Sequence, residues 1–191
     1  FAPTPSGPLH IGSMMTAIAS FLDAKSNGGK WLVKIDDIDN ARVLKGIDIT
    51  ILNSLERLNL YWDMPVVYQS NRIKEYQYQL ERLKKFNMTY PCQCSKKDIL
   101  KSAFTGIDGF IYSGICRERK LEFSSQVAHR LKVNNALITV KDSIQGLLKQ
   151  DLSEDIGDFI IKRSDGFFAY QFTVVVDNNL DAVTNIVRGS E

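Results

Sequence analysis

Cysteine, histidine and long apolar runs are all scarce in this sequence. Three cysteines and two histidines occur among 191 residues. Three cysteines cannot all pair with one another, and Cys92 and Cys94 are too close for an easy mutual bridge. We therefore expect a reduced, cytoplasmic protein without a disulfide framework. No apolar run approaches the roughly 20 residues of a membrane helix, so no membrane partner is expected.

An excess of charge of either sign is lacking too. The net charge is only +2, so no global basic field favours nucleic acid, and an RNA partner would need a local basic face. Hydrophobic residues make up 44% and charged residues 24%, which is ordinary for a globular protein. The length suits one large domain, or one domain interrupted by a small insertion. Because the chain begins with Phe1 and not with methionine, we expect it to be a portion of a longer protein.

The first forty residues have the pattern of an α/β protein. Prolines and a glycine near the start exclude a helix there, whereas residues 12–25 are rich in helix-forming residues. Asn-Gly-Gly at residues 27–29 ends that helix, and residues 30–35 predict a strand. Three carboxylates follow the strand, from Asp36, Asp37 and Asp39. A loop, helix, turn and strand in this order are typical of a parallel α/β sheet.

The rest of the chain contains regular and irregular segments. Apolar residues three or four apart predict helices at residues 48–59 and 70–86, the second with Ser70 as its N-cap. Residues 87–125 hold all three cysteines and lack an apolar period, which predicts an irregular, loop-rich segment. β-rich runs predict strands at residues 128–133, 136–140, 158–163, 167–176 and 182–187. Turns are predicted at residues 164–166 and 177–179.

The segment from Pro3 to Ser13 has the chemistry of an anion-binding helix start. Its prolines make the loop rigid, and His10, Gly12 and Ser13 then stand where the helix begins, with N–H groups that attract anions. Gly12 lets a nucleotide approach the backbone, and the imidazole and hydroxyl can stabilise charge on a transferring phosphoryl group. The alternative is a capped helix start in which His10 is an incidental surface residue. The segment is not a P-loop, because the Gly-x-x-x-x-Gly-Lys-Ser/Thr order is absent.

This segment resembles the HIGH signature of class I aminoacyl-tRNA synthetases. Residues 1–13 are similar to the glutamyl branch of that family, with Thr4 in place of the usual Ser. Segments similar to the same branch follow in the same order at residues 34–39, 158–166, 169–171 and 187–189. The resemblance implies an α/β fold, a Rossmann-like class I catalytic domain with an inserted zinc-binding module. It also implies catalytic and ATP-binding roles for His10, Gly12 and Ser13.

The resemblance further implies how the chain is divided. Residues 1–86 would form the first half of the catalytic domain, and residues 158–191 the start of its second half. Residues 87–157 would form the inserted zinc-binding, acceptor-type module.

The three cysteines raise the question of a metal site. Cys92, Cys94 and Cys116 offer three thiolates, whereas a structural zinc site takes four nitrogen or sulfur ligands. By general chemistry His129 is the default fourth ligand, since the other histidine, His10, belongs to the anion-binding helix start. The alternative is three inert thiols without a metal. The resemblance to the glutamyl-Q branch of the family instead implies a Cys-x-Cys pair, a Tyr, and a Cys four positions beyond it. Tyr112 and Cys116 fit that spacing, and the Zn²⁺ would be structural.

The same resemblance implies a pocket for free glutamate. Its residues would be Ala2, Pro3, Thr4, Asp36, Tyr170 and Arg188. Asp36 can pair with the substrate ammonium, Arg188 with a carboxylate, and Tyr170 can donate a hydrogen bond. For each residue alone the alternatives are a solvated strand-end Asp, a core Tyr and a surface Arg. The family usually has Glu in place of Asp36, so this carboxylate lies about 1.5 Å further back, which predicts a looser or water-bridged contact or a weaker substrate affinity.

One position after the His-x-Gly element separates two branches of the family. True glutamyl-tRNA synthetases generally have Arg three residues after that Gly, and this chain has Met15, which together with the Tyr-x-x-x-Cys pattern favours the glutamyl-Q branch. The implied reaction joins glutamate and ATP, with Mg²⁺, into glutamyl-AMP and passes the glutamyl group to the queuosine base of tRNA(Asp). Two alternatives stay open: a catalytic fragment of an ordinary glutamyl-tRNA synthetase that charges tRNA(Glu), and a non-catalytic paralogue that binds tRNA or glutamate. A monomer is expected.

Overall fold

Helices and short parallel strands come first along the chain, and antiparallel strands follow. The computed structural model describes residues 1–39, 41–102, 104–106, 109–124 and 126–189. The helices are α1 (Ile11–Ser26), α2 (Ile47–Arg57), α3 (Ile73–Lys85), α4 (Lys96–Ser102) and α5 (Tyr170–Leu180). The strands are β1 (Lys34–Ile35), β2 (Val67–Tyr68), β3 (Thr89–Cys92), β4 (Phe104–Gly106), β5 (Gly109–Ile111), β6 (Ala128–Leu131), β7 (Leu137–Asp142), β8 (Gly146–Asp151) and β9 (Ile160–Lys162). A 3₁₀ helix occupies Gln69–Arg72 and a π-helical turn occupies Leu152–Ile156.

The chain divides into two compact units. One consists of Phe1–Gln77 together with Thr173–Glu191, and the other of Tyr78–Phe172. Of the described helices, none is both long enough and apolar enough to cross a membrane.

A parallel strand pair and the helix between its strands organise the first unit. β1 pairs with β2 in parallel, with Lys34 opposite Val67, and α2 lies between them in sequence, as a parallel connection requires. The buried core joins α1 and α2 to the residues that lead into β1. These core residues are Ala17, Trp31, Val33, Ile51, Leu55 and Leu60. The mixed α/β character predicted from the sequence is confirmed.

Helix α1 lies where the composition predicts it. The sequence predicts a helix at residues 12–25, and the helix spans Ile11–Ser26. Just beyond it Gly28 has a φ of 64°, a left-handed conformation that glycine adopts without strain. The Gly28 N–H donates to the carbonyl of Lys25 at 3.1 Å, so the Asn-Gly-Gly sequence ends the helix as predicted.

Antiparallel pairing prevails among the described residues of the second unit. β6 lies between β3 and β9 in one sheet, β4 pairs with β5, and β7 pairs with β8. The strands predicted at residues 128–133, 136–140 and 158–163 are confirmed as β6, β7 and β9. The prediction that residues 87–125 lack regular structure is wrong in part, because β3, α4, β4 and β5 lie within that range.

Two strand predictions near the end of the chain are wrong. Residues 170–180 form α5, with the predicted turn at residues 177–179 inside it, and residues 182–187 contain no strand. Valine and threonine in this segment favour strands, but its buried residues follow a helical spacing. They are Phe172, Thr173, Val176 and Asp177. Burial of that stripe outweighs the local propensity.

Candidate functional site

The N-terminal segment lies alongside β1 and reaches its carboxylate end. The Lys34 N–H donates to the carbonyl of Phe1 at 2.9 Å, and the Asp36 N–H donates to the carbonyl of Pro3 at 3.0 Å. The Thr4 hydroxyl lies 3.5 Å from Asp36 Oδ2 in a long hydrogen bond. Backbone pairing therefore brings the predicted loop residues 2–4 next to the predicted acidic residue.

Asp36 is the carboxylate after β1 that contacts this loop through its side chain. Asp37 accepts hydrogen bonds from the N–H and hydroxyl of Ser70, at 2.8 Å and 2.6 Å, and so fixes the 3₁₀ helix. Ser70 is thus held by Asp37 and is not the N-cap of a helix, contrary to the prediction. Asp39 accepts from the N–H of Ala41 at 3.3 Å. Asp36 remains the carboxylate that a substrate beside Thr4 would meet.

Partial burial governs the acidity of Asp36. Burial raises the pKa of this carboxyl above its ordinary value, while the hydrogen bond from Thr4 and the charge of Lys34 act to lower it. A positively charged ligand beside the carboxylate would offset the cost of that burial. The environment of Asp36 therefore favours a cationic partner.

His10 and Ser13 form the start of α1. His10 is the N-cap, and its Nδ1 accepts from the N–H of Ser13 at 3.3 Å. The Ser13 hydroxyl lies 2.9 Å from Nε2 of the same imidazole. Both side chains are thus held at a helix N-terminus, where backbone N–H groups attract anions.

Gly12 lies tightly against the imidazole of His10. A Cβ atom at position 12 would lie 3.1 Å from Cε1 and 3.2 Å from Nδ1 of His10. Because its φ is not in the left-handed region, the requirement for glycine here is steric. The residues predicted to bind ATP therefore contact one another at the start of α1. They are His10, Gly12 and Ser13.

Arg188 belongs to a segment that runs beside α1 in the first unit. Upstream, the Asn185 amide donates to Asp23 Oδ2 at 3.2 Å. Downstream, a Cβ built on Gly189 would lie 3.8 Å from Thr16 Oγ1, one turn after Gly12. The side chain of Arg188 is exposed.

Tyr170 is placed by a different element. It is the first residue of α5, it is 43% exposed, and it falls in the second unit.

Three cysteines and a tyrosine converge in the second unit. The Sγ atoms of Cys92, Cys94 and Cys116 all lie within 4.8 Å of one another. Tyr112 Oη lies 3.2 Å from Cys94 Sγ and 3.6 Å from Cys92 Sγ, and it accepts from the N–H of Cys116 at 2.9 Å. We call these four residues, Cys92, Cys94, Tyr112 and Cys116, the thiol–tyrosine cluster.

The spacing within the thiol–tyrosine cluster suits a tetrahedral metal ion. Metal–sulfur bonds of about 2.3 Å place tetrahedral donors about 3.8 Å apart, and the Cys94 and Cys116 sulfurs lie 3.4 Å apart. Three sulfur donors and one oxygen donor therefore fit an ion such as Zn²⁺. The donors come from β3, from the turn after it, and from the segment after β5.

The acidities within the cluster differ. Burial raises the pKa of Cys94 to about 11 and raises the pKa of Tyr112 well above its ordinary value. Burial acts to raise the pKa of Cys116 as well, but hydrogen bonds from Tyr112 and from the Gln93 backbone outweigh it and bring the pKa to about 7. A bound dication would favour the deprotonated form of every donor.

His129 is not among the metal-ligating groups that converge within the described part of the chain. It is buried on β6, and its ring packs on that of Phe123 with centroids 5.1 Å apart. Its neighbour Arg130 contacts Cys92 of the cluster, and side chains alternate between the two faces of a strand. This placement favours Tyr112 over His129 as the fourth donor.

A buried carboxylate in the first unit is a feature that the sequence reasoning misses. Asp177 is fully buried and accepts hydrogen bonds from Gln69 Nε2 at 2.6 Å and from the hydroxyl of Tyr76 at 2.8 Å. It also pairs with Lys34 and Arg72. No hydrophobic pattern marks this residue, because a carboxylate is rarely buried unless it is paired and is not counted as a core residue when the sequence is read alone.

Comparison with known proteins identifies the family of the fold. The family model for the catalytic domain of class I tRNA synthetases (E and Q) matches residues 1–191. Among curated proteins, the chain is 47% identical to the glutamyl-Q tRNA(Asp) synthetase of Neisseria meningitidis serogroup C, over 100% of this chain and 66% of that protein. It is 46% identical to the protein of the same name from Chromobacterium violaceum and 41% identical to that from Thiobacillus denitrificans, in each case over 100% of this chain and 64% of the relative.

Solved structures share the fold. A glutamate tRNA ligase from Elizabethkingia meningosepticum matches with a TM-score of 0.81 and 23% identity, over 96% of this chain and 41% of that chain. The glutamate-tRNA synthetase from Elizabethkingia anophelis matches with a TM-score of 0.80. The chain spans about two thirds of the length of the curated relatives that it matches. It belongs to the family of class I tRNA synthetase catalytic domains for glutamate and glutamine, E and Q.

Proposed function

We propose that this protein activates glutamate with ATP and transfers the glutamyl group to the queuosine base of tRNA(Asp). The observation that carries the proposal is the pairing of Pro3 and Thr4 with Asp36, in a unit that also contains the His10–Ser13 helix start. The names of relatives that are 41–47% identical over the whole chain support the same reaction. We expect a monomeric enzyme that acts in the cytoplasm.

Glutamate would bind between the N-terminal loop and the end of β1. Asp36 would accept hydrogen bonds from the substrate ammonium, which suits a carboxylate whose pKa is raised by burial. Ala2, Pro3 and Thr4 would line the same position. Arg188 would hold a carboxylate of the substrate in a bidentate pair, and Tyr170 would donate a further hydrogen bond.

ATP would bind at the start of α1. The N–H groups of the first turn and the side chains of His10 and Ser13 would hold phosphate oxygens, and Gly12 would leave room for them. Mg²⁺ would accompany the nucleotide. Because adenylate formation needs little covalent chemistry from the protein, these groups would act by positioning the substrates and by offsetting developing negative charge.

A structural Zn²⁺ would be held by the thiol–tyrosine cluster. It would join β3 to the segment after β5 and so fix the module predicted at residues 87–157. A Tyr112→Phe variant should retain less zinc after dialysis than the parent, whereas a His129→Gln variant should retain as much, as measured by elemental analysis. Equal zinc retention in the parent and in Tyr112→Phe would contradict the assignment of Tyr112.

Two assays in sequence test the proposed reaction. The first is glutamate-dependent ATP–pyrophosphate exchange without tRNA, and the second is transfer of labelled glutamate to tRNA(Asp) with and without queuosine, alongside tRNA(Glu). We expect exchange in the first assay, and transfer to queuosine-containing tRNA(Asp) alone in the second. Charging of tRNA(Glu) alone would indicate an ordinary glutamyl-tRNA synthetase, and the absence of exchange would indicate a non-catalytic paralogue.

A further inference from the structure

Arg130 is a buried arginine in direct contact with the thiol–tyrosine cluster. Only 4% of its surface is exposed. Its Nε donates to Cys92 Sγ at 3.3 Å, and one terminal nitrogen donates to the carbonyl of Asp158 at 2.7 Å. The guanidinium is thus oriented by two hydrogen bonds, one of which ends on a sulfur of the cluster.

The same guanidinium stacks on the tyrosine of the cluster. The Arg130 Cζ atom lies 3.7 Å from the centre of the Tyr112 ring. A cation over an aromatic face is attracted by the ring electrons, and the attraction grows when the pair is removed from water. Arg130 therefore contacts two of the four donors at once.

The charge of Arg130 has no close carboxylate partner within the described part of the chain. No carboxylate oxygen there lies within 4.0 Å of its nitrogen atoms. The nearby Asp158 carboxylate instead accepts from the Tyr90 hydroxyl and the Val133 N–H, both at 2.7 Å, and lies 3.7 Å from Arg117 Nε. A buried cation is costly unless negative charge compensates it.

A metal site built from these donors would supply that negative charge. Three thiolates and a phenolate exceed the charge of a dication by two, so the loaded cluster would be anionic. We propose that Arg130 is a positioning residue of the metal site: it offsets the excess negative charge and holds Cys92 Sγ and the Tyr112 ring in place for the ion. This inference rests on the metal site proposed above and adds a residue that is not itself a ligand.

Zinc affinity tests the inference without reference to activity. Competition with a chromophoric chelator would give the Zn²⁺ affinity of the parent protein and of the neutral variants Arg130→Met and Arg130→Gln. Loss of a residue that orients metal ligands lowers affinity about 10- to 100-fold, and we expect a loss in that range. Arg130→Lys keeps the charge, so we expect a smaller loss of Zn²⁺ affinity than in the neutral variants. A loss of about three- to tenfold remains, because lysine cannot stack on the ring and donate in the same way.

A matched control separates local charge from surface charge. Lys132→Met also removes one positive charge, two residues further along the chain, where the Lys132 ammonium donates to Asn87 Oδ1 at 2.7 Å. This variant should bind Zn²⁺ as the parent does. Replacing Zn²⁺ with Co²⁺ gives a second readout, because the sulfur-to-cobalt absorption should change in the Arg130 variants and stay unchanged in Lys132→Met.

The Zn²⁺ affinities of these variants decide whether Arg130 positions the metal site. Neutral variants that bind Zn²⁺ as tightly as the parent would overturn the inference, and so would a loss in Arg130→Lys as large as in the neutral variants, since packing alone would then explain it. If the neutral variants do not fold, Arg130→Lys decides: affinity equal to that of the parent would contradict the role. A parent that binds no Zn²⁺ would instead refute the metal site itself, and the glutamate assays above would still test the reaction.

Discussion

Lys34 and Asp177 form an ion pair in the interior of the first unit. The Lys34 Nζ lies 2.9 Å from Asp177 Oδ2, and the two side chains are 9% and 0% exposed. Lys34 lies on β1 two residues before Asp36, and Asp177 lies on α5. The strand β1 leads to Asp36, the carboxylate proposed to bind the substrate ammonium. This strand is therefore held in place by a buried, charged partner on α5.

Loss of this carboxylate should destabilise the protein strongly. Asp177→Ala would leave Lys34 without its buried counter-charge and Arg72 with Asp181 alone, and breaking a buried pair in this way costs about 3–5 kcal/mol. We expect a fall of that size in the free energy of unfolding measured with urea. Lys25→Met is the control: its pair with Asp63 is 38% and 30% exposed, so its loss should cost less than about 1 kcal/mol. Equal effects of the two substitutions would contradict this account of the pair.

Neutralising Asp36 should weaken glutamate binding. Asp36→Asn keeps the shape of the side chain but removes the charge that would pair with the substrate ammonium. A charge-assisted hydrogen bond contributes about 1.5–3 kcal/mol, so the KM for glutamate should rise about 10- to 100-fold, with a much smaller change in the KM for ATP. Glutamate-dependent ATP–pyrophosphate exchange measures both.

A nearby carboxylate provides the matched control for Asp36. Asp39→Asn removes the same charge three residues further on, where the carboxylate accepts from the N–H of Ala41. This variant should leave the KM for glutamate within about twofold of the parent value. Comparable rises in the two variants would point to a general field effect and not to direct contact with the ammonium.

A methyl group at position 12 should reduce activity without reducing stability. In Gly12→Ala the new Cβ would lie 3.1 Å from the His10 ring, so the imidazole must shift, and small displacements of a positioning group can cost about 100-fold in rate. Alanine favours the helix by up to about 1 kcal/mol, which offsets the weaker capping contact of a displaced His10, so the melting temperature should change little. Exchange kinetics and thermal unfolding test the two halves of this prediction.

The control for Gly12→Ala lies on the same helix. Ile18 is 38% exposed on α1, and Ile18→Ala should leave the exchange rate within about twofold of that of the parent. If Gly12→Ala were as active as Ile18→Ala, the close contact between Gly12 and His10 would have no part in positioning the nucleotide.

Local patterns predict the elements whose stability is local. Helix α1, the turn after it, and strands β6 and β7 follow from composition and periodicity, because propensity and packing agree there. In α5 they disagree: the run of valines 174–176 favours a strand, yet Asp177 is buried by partners distant in sequence. A carboxylate does not register as a core residue in a hydrophobic pattern, so the helical period was hidden.

In the candidate metal site, too, some residues can be predicted from the sequence and others cannot. Spacing and resemblance indicated Cys92, Cys94, Tyr112 and Cys116, which the fold brings together. Arg130 could not be identified in this way, because its role depends on register: β6 pairs with β3 so that Tyr90 lies opposite Arg130 and Cys92 opposite Ala128. Pairing between strands that are far apart in sequence is set by tertiary packing and turn geometry, which a single sequence does not reveal.

The buried histidine of β6 should make the protein sensitive to acid. Burial, followed by the charges of Lys84 and Lys162, lowers the pKa of His129 to about 4, while the nearby Glu81 acts to raise it. Because this pKa lies below the unfolded value of about 6.5, His129 has no effect on stability above pH 6.5. As the pH falls from 6.5 towards 4, the unfolded state binds a proton that the folded state does not, and stability is lost.

Removing His129 should therefore flatten the pH dependence of stability. Between pH 7 and pH 4.5 the parent should lose on the order of 2–3 kcal/mol through this group, at about 1.36 kcal/mol per pH unit, and His129→Gln should not. Urea unfolding with a chelator present at both pH values excludes a contribution from metal release. Lys162→Met, which removes one of the cations that lower the pKa of His129, should lose an intermediate amount. If His129→Gln lost as much stability as the parent over this range, the acid sensitivity would come from other groups, such as the carboxylates, which lose their charge as the pH falls.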